Sequence, residues 1–185
     1  MALKLSSVFN KMSSFRNPYS YDQFAVNVTE IKPAPGIKSI YFKADVTGET
    51  DTYKNYIQFF DVNFKPEEHA VHAEAKGKPE QKKEEPVKPA DPFPCNVKVG
   101  GKDYFFAPIQ AGENRVKFYC KCSDMMFTFS YPDWNKDTFI GAYKKYIRVP
   151  GSTRPPRNPD NIPGFCKHTM SHLRELQRKG YLLGI

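Results

Sequence analysis

Two short stretches of the chain carry the fold interpretation: RVKFYCKC at residues 115–122 and GFCKH at residues 164–168. The first has the apolar, β-branched and aromatic character of a strand and ends on Cys120 and Cys122. Residues two apart in a strand project to the same face, so both sulfurs can approach one ion. The first stretch therefore predicts half of a metal site at the end of a strand.

The second stretch predicts the other half of that site, at the start of a helix. Apolar residues recur at helical spacing over about residues 167–179, and Gly180 follows as a stop signal, which together predict a short amphipathic helix. Residues two apart within a helix do not face each other. We therefore expect Cys166 in the turn before the helix and His168 in its first turn.

Four ligand-type side chains in two closely spaced pairs predict one metal ion. In the reducing setting expected for this chain, such cysteines are more often metal ligands than disulfide partners. Three sulfurs and one imidazole form the closed tetrahedral set of a structural zinc, which leaves no position for water. The predicted ligands of one structural Zn²⁺ are Cys120, Cys122, Cys166 and His168.

Several alternatives stay open at this point. The cysteines could be buried thiols that bind no metal. His172 lies four residues after His168, on the same helical face, and could take its place as a ligand. Cys95 has the character of a small buried strand residue, although it too could substitute. A redox role for Cys120 and Cys122 lacks the usual C-x-x-C spacing.

The composition favours short strands that pack large rings, since 15% of the residues are aromatic. Strand patterns over residues 24–31, 39–46 and 53–62 predict a three-stranded antiparallel meander. A hairpin is predicted around Gly100 and Gly101. We predict an α+β fold, mostly β, in which two small antiparallel β lobes are joined by an extended linker. The C-terminal lobe is zinc-stabilised and carries one C-terminal helix.

The domain organisation follows from local composition. Residues 65–94 hold six prolines and thirteen charged side chains, so they cannot bury a core and are predicted to be a linker. Further along, the apolar run at residues 125–131 predicts another strand. The predicted segments are an N-terminal arm (1–20), a small β meander (21–64), a Pro/Lys/Glu linker (65–94) and a zinc-binding β+α lobe (95–185) with a long basic loop (132–164).

The formal net charge of +8 is concentrated near the C-terminal end, where residues 136–185 hold ten basic and three acidic side chains. Such a surface favours a polyanion or an acidic protein patch as partner, although a merely solvating basic face is an alternative. Trp134, Tyr143 and Tyr146 interleave with the basic residues and could stack on bases or on Arg planes. The candidate partner-binding or nucleic-acid-binding residues are Lys144, Lys145, Arg148, Arg154, Arg157, Arg174 and Arg178.

The C-x-C and C-x-H pairs resemble the SWIM zinc finger, whose pattern is C-x-C, a variable insert and C-x-H on a ββα unit. The resemblance covers about residues 115–180, although the 43 residues between Cys122 and Cys166 exceed the usual insert. It implies the same four zinc ligands. It also implies a module that binds DNA or proteins and is not itself catalytic.

A looser resemblance concerns the whole chain. The small β N-terminal half, the linker and the stretch PPRNP at residues 155–159, which leads into residues 163–168, resemble small proteins of tailed bacteriophages. That resemblance implies a role in the virion or in infection, and hence the virion or the host cytoplasm as location. No apolar run reaches the roughly 20 residues of a membrane span, and no secretory signal is recognised. We therefore expect neither a membrane partner nor secretion.

The sequence predicts a protein that is not an enzyme. It lacks the H-E-x-x-H, G-x-G-x-x-G, P-loop and G-x-S-x-G motifs, and a closed Cys₃His zinc offers no open coordination position. We expect a zinc-stabilised structural protein that bridges neighbouring protein subunits in a phage-type virion or similar large assembly, with no small-molecule substrate. The alternative is a SWIM-type adaptor that binds DNA or RNA through the basic C-terminal lobe.

Overall fold

The computed structural model describes residues 1–66, 91–143 and 157–185. Its strands are β1 (Ala25–Ala34), β2 (Ser39–Thr47), β3 (Thr52–Phe60), β4 (Cys95–Val99), β5 (Lys102–Phe106), β6 (Ile109–Gln110), β7 (Val116–Cys120) and β8 (Leu182–Leu183). Its α-helices are α1 (Leu5–Ser13), α2 (Ser130–Asn135) and α3 (Lys167–Arg178). The predicted α+β class, mostly β and with a C-terminal helix, is confirmed.

The predicted meander and hairpin are both present. Strands β1, β2 and β3 pair antiparallel in sequence order, and β4 pairs antiparallel with β5. Gly100 and Gly101, which connect β4 to β5, both have positive φ, at 59° and 82°. A two-residue turn with positive φ at both positions matches the twist of the two flanking strands, which explains why glycine occupies both.

One sheet connects the two halves of the chain. Strand β7, from the predicted C-terminal lobe, pairs antiparallel with β3, so the sheet order is β1-β2-β3-β7. The buried side chains of both halves belong to one apolar cluster. Three strands are too few to be stable without further packing, and β7 together with α3 supplies it. The linker residues 67–90 lie outside the described part of the chain.

The predicted N-terminal arm (1–20) forms α1, which packs against other parts of the chain. The helix buries four apolar side chains against the core: Leu5, Val8, Phe9 and Met12. Backbone hydrogen bonds also fix its start, because Val116 N–H donates to the Leu3 carbonyl and Ser6 N–H donates to the Ala111 carbonyl. The arm is thereby tied to the start of β7.

The predicted strand at residues 125–131 is wrong. A π-helical turn, Met125–Phe129, runs directly into α2 instead. Short apolar runs fit a buried helix as well as a strand, and packing here favours the helix: Phe129 is fully buried and contacts Phe15 edge-on. Helix α2 therefore occupies the beginning of the predicted loop 132–164.

Helix α3 begins and ends as the sequence predicted. Cys166 is its extended N-cap residue, and Gly180 beyond its end has a φ of 74°. Two hydrogen bonds close the C-terminus: Gly180 N–H donates to Gln177 O, and Tyr181 N–H donates to Leu176 O. This double closure is a Schellman motif, which needs a left-handed residue at that position. None of the helices in the described ranges is long and apolar enough to cross a membrane.

Candidate metal centre

The structure brings the four predicted ligands together. One donor atom from each of these residues lies within 4.8 Å of every other, and all four side chains are buried: Cys120, Cys122, Cys166 and His168. In a tetrahedral zinc site, bond lengths of about 2.0–2.3 Å place neighbouring donors about 3.5–3.8 Å apart. Cys120 Sγ and His168 Nδ1 are 4.0 Å apart. Because contractions of at most about 1.3 Å would give this geometry, the cluster could hold one metal ion.

Two sequence-distant elements supply these ligands. Cys120 is the last residue of β7, and Cys122 follows where the chain turns toward the π-helical segment. Cys166 caps α3, and His168 lies in its first turn, as the sequence predicted. A metal held here would join the end of the sheet to the start of the helix, where the helix dipole also favours a thiolate.

The His168 ring lies in an aromatic slot that the sequence analysis did not identify. The ring centroids of Tyr53 and Phe24 lie 4.4 Å and 5.3 Å from it. The turn between β2 and β3 also approaches it closely, because a Cβ built at Gly48 would lie only 2.8 Å from His168 Nε2. These contacts direct Nδ1 toward the sulfurs. Nε2 is buried, with no hydrogen-bond partner among the described residues.

The sulfurs interact strongly with one another. Hydrogen bonding between the two thiols lowers the pKa of Cys122 and raises the pKa of Cys120 far above its usual range. One thiolate can thus be stabilised by neighbouring thiol protons. Because metal ligands must be deprotonated, full ionisation of the cluster requires a bound cation to offset the mutual repulsion. The donor chemistry therefore fits a metal better than three resting thiols.

Two of the ligand sulfurs also contact a further polar group each. Met125 N–H donates to Cys122 Sγ over 3.3 Å. The Thr169 hydroxyl lies 3.5 Å from Cys166 Sγ. Residues that do not bind the metal themselves orient its ligands and adjust their basicity through such contacts. Neither contact was expected from the sequence. A threonine inside a predicted helix, for example, gives no sequence signal of a contact with a ligand sulfur.

The two alternative ligands are engaged elsewhere. His172 Nδ1 hydrogen-bonds the side-chain oxygen Oδ1 of Asn55 at 2.9 Å. Burial lowers the pKa of His172 to about 3. The Cys95 thiol donates to the Gly180 carbonyl at 3.4 Å. Neither residue belongs to the cluster of four. The choice of His168 over His172 therefore agrees with the structure.

A buried carboxyl group supports the segment that leads into Cys166 and α3. Asp133 Oδ1 accepts hydrogen bonds from Gly164 N–H at 2.9 Å and from the Thr138 hydroxyl at 3.2 Å. Asp133 is fully buried, and that burial raises its pKa well above its usual range. A buried carboxyl group in α2 thus connects this helix to the chain two residues before Cys166.

Three of the seven predicted partner-binding residues are described by the structure. Arg174 donates to the backbone carbonyls of Tyr21 and Tyr19, so it holds the segment after α1 against α3. Arg178 forms a double hydrogen bond with Glu175. Arg157 is exposed. The remaining four lie outside the described residues: Lys144, Lys145, Arg148 and Arg154.

An aromatic cluster with two exposed rings lies between Cys122 and Cys166 in the sequence. The rings of Tyr131 and Trp134 stack at 6.5 Å between centroids, and those of Trp134 and Tyr143 stack at 5.6 Å. Trp134 is 52% exposed and Tyr131 is 44% exposed. Asp133 anchors α2, so the two rings that this helix carries, those of Tyr131 and Trp134, are presented on a fixed element. We call these three rings the aromatic platform.

Comparison with known proteins identifies no relative for this chain: no family model, curated protein or solved structure matches it. The resemblances to the SWIM zinc finger and to tailed-phage proteins therefore depend on sequence patterns alone. What the structure adds is a compact Cys₃His cluster.

Proposed function

We propose that the chain is a non-enzymatic interaction protein whose fold is stabilised by one structural zinc ion. The observation that carries the proposal is the buried cluster, in which three cysteines and one histidine from distant parts of the chain converge within 4.8 Å. Three sulfurs and one nitrogen are the donors of closed structural zinc sites. Because four protein donors fill a tetrahedral shell, no position is left for a substrate, which supports a structural role.

Partner binding is supported by the aromatic platform and its sequence surroundings. Large exposed aromatic rings on a rigid element are favourable contact sites for proteins, because they bury much area at a small entropy cost. Residues 144–157 follow the platform directly and contain five Lys or Arg residues and no Asp or Glu. We propose that this region contacts neighbouring subunits of a larger assembly, of the kind that the tailed-phage resemblance implies.

Nucleic-acid binding is the second candidate function. It is favoured by the position of the aromatic platform next to the basic stretch in the sequence. Aromatic rings can stack on the bases of single-stranded DNA or RNA, while basic side chains contact the phosphates. Arg174 and Arg178 contribute less to this candidate than expected, because both are already hydrogen-bonded within the chain. The contact would therefore depend mainly on the platform and the basic stretch after it.

The zinc is tested by metal analysis of the purified full chain. We expect one zinc per chain, lost in Cys122→Ser but retained in Cys95→Ser. The second variant is a matched control, because Cys95 is also buried but lies outside the cluster. A wild-type protein that is stably folded without metal would contradict the proposal.

The partner is tested with Trp134→Ala, with Phe105→Ala as a control at an exposed ring on β5. If the platform contacts protein, only Trp134→Ala should reduce incorporation into the assembly, while binding to a single-stranded oligonucleotide remains negligible for every variant. If it contacts nucleic acid, oligonucleotide affinity should fall steeply with salt and drop about tenfold in Trp134→Ala. A Trp134→Ala protein that assembles and binds as wild type does would refute both assignments of this surface.

A further inference from the structure

Three polar side chains are fully buried beside the candidate metal centre. Asn55 in β3 and both Thr169 and His172 in α3 are 0% exposed. Burying a polar side chain is unfavourable unless its hydrogen-bonding groups find partners. Aliphatic side chains would fill this part of the interior without that cost. The presence of three polar side chains here therefore requires an explanation.

The three side chains form a continuous chain of hydrogen bonds that ends on a ligand sulfur. His172 Nδ1 lies 2.9 Å from Asn55 Oδ1. Asn55 Nδ2 lies 2.8 Å from Thr169 Oγ1. Thr169 Oγ1 in turn lies 3.5 Å from Cys166 Sγ. We call this series, from His172 to Cys166, the buried relay.

The direction of each bond in the buried relay follows from simple chemistry. The Asn55 carbonyl oxygen can only accept, so His172 Nδ1 carries the proton and donates it. The Asn55 amide nitrogen can only donate, so the Thr169 oxygen accepts. The Thr169 hydroxyl keeps one proton of its own, and Cys166 Sγ lies within reach to accept it. A metal-bound thiolate has no proton and is an acceptor only, which suits this end of the relay.

The buried relay also connects α3, which carries one pair of ligands, to β3, the strand paired with β7. Asn55 stands directly opposite Cys120 in the pairing of β3 with β7. Thr169 lies one residue after His168 and three after Cys166, in the first turn of α3. The Asn55 side chain therefore bridges from the strand next to Cys120 to the helix that carries the other pair of ligands.

We propose that Thr169 and Asn55 are positioning residues for the metal centre, which fix the Cys166 thiolate through the buried relay and thereby raise its metal affinity. The inference rests on the proposed zinc site and goes beyond it, because it assigns a role to residues that do not touch the ion. Cys122 receives the corresponding hydrogen bond from the backbone of Met125. Cys166 receives it from a side chain, so its contribution can be measured by mutation.

Thr169→Val tests the proposal, because valine keeps the shape of threonine and removes the hydroxyl group. Removing such an outer contact typically weakens metal binding about 10–100-fold. We expect a loss in this range when Zn²⁺ affinity is measured in competition with a chelator. In Co²⁺-loaded protein we also expect the sulfur-to-metal charge-transfer band to move to lower energy, because a thiolate without its hydrogen bond is a better electron donor.

Two further variants separate positioning from general stability. Thr169→Ser keeps the hydroxyl group and should bind Zn²⁺ within about threefold of wild type, a tolerance well below the 10–100-fold loss from a missing outer contact. Thr138→Val makes the same chemical change at another fully buried threonine, whose hydroxyl contacts Asp133, and should leave the affinity and the Co²⁺ spectrum unchanged. If Thr169→Val does not fold, Asn55→Ser interrupts the relay one step earlier and should give a smaller loss and the same spectral direction.

The outcomes distinguish the relay from the zinc site itself. A wild-type protein that takes up neither Zn²⁺ nor Co²⁺ overturns the proposed site, and the relay with it. A wild-type protein that binds metal, together with a Thr169→Val variant of equal affinity and identical spectrum, overturns the relay and leaves the site intact. Equal losses in Thr169→Val and Thr138→Val would also overturn the relay, because the effect would then reflect stability alone.

Discussion

The inner face of strands β3 and β7 changes character along its length. At one end Asn55 stands opposite Cys120, and at the other end Phe59 stands opposite Val116. All four side chains are fully buried. The two ends are four residues apart on each strand, or about 13 Å at 3.3 Å per residue. We refer to them as the metal end and the apolar end.

The two ends use different sources of stability. At the apolar end, Phe59 packs edge-on against Phe42, which also stacks on Tyr181, so stability comes from buried apolar area and ring contacts. At the metal end, thiols, an amide and imidazoles are buried, and they contribute stability only if each polar group has a partner. This difference in chemistry predicts that the metal end depends on a bound metal ion, whereas the apolar end is stable through packing alone.

The largest expected effect is that of removing the metal. Structural zinc contributes an apparent binding free energy of about 10–16 kcal/mol in small zinc-stabilised domains, so a strong chelator should lower the unfolding temperature sharply. Amide exchange should accelerate first around Cys120 and the first turn of α3, and later near Phe59. Identical unfolding curves with and without chelator would show that the metal end does not need an ion.

The next largest effect is expected at the apolar end. Phe59→Ala should lower the free energy of unfolding by about 3–5 kcal/mol, because it removes a large buried ring and leaves a cavity. Chemical denaturation measures this loss, and metal analysis of the same samples should still show one zinc per chain. A loss of zinc in Phe59→Ala would mean that the two ends are coupled more tightly than their different chemistry suggests.

A smaller effect is expected where the backbone approaches His168. Gly48→Ala places a methyl group 2.8 Å from Nε2 of the His168 ring, so the ring or the turn must move. We expect a cost of about 1–3 kcal/mol, as for other overpacked sites, with weaker Zn²⁺ binding in chelator competition. Gly36→Ala is the control, because a Cβ at that position meets no atom within 4 Å. Equal metal affinities for the two variants would argue against a close approach at Gly48.

The smallest effect concerns the pH dependence of stability through Asp133. Burial raises its pKa, so the folded state keeps a proton that the unfolded state releases above about pH 4. Its contribution to the free energy of unfolding is therefore fully present below about pH 4, and it is lost as pH rises from there through the raised pKa of the folded state. Asp133→Asn has no proton to release, so relative to wild type it should gain stability at pH 8 compared with pH 5. Denaturant unfolding at both values measures the difference, and a pH-independent difference would contradict the raised pKa.

Much of the candidate site could be predicted from residue type and spacing. The two pairs of ligands, the position of His168 in the first turn of α3 and the end of that helix before Gly180 all follow from local rules. The segment after Cys122 could not be predicted, because its apolar run suits a strand or a helix equally well. Packing of Phe129 in the core, a long-range contact, selects the helix.

Residue types and their local spacing specify the chemistry of this protein: which side chains can bind a metal, where the strands of the meander lie and where positive charge accumulates. Which of these groups meet depends on the tertiary fold. It pairs β7 with β3, places Asn55 next to Thr169, and closes Gly48 against His168. Ligand identity and strand propensity are properties of single residues and their neighbours. Contacts between residues distant in sequence depend instead on how the whole chain buries its apolar surface.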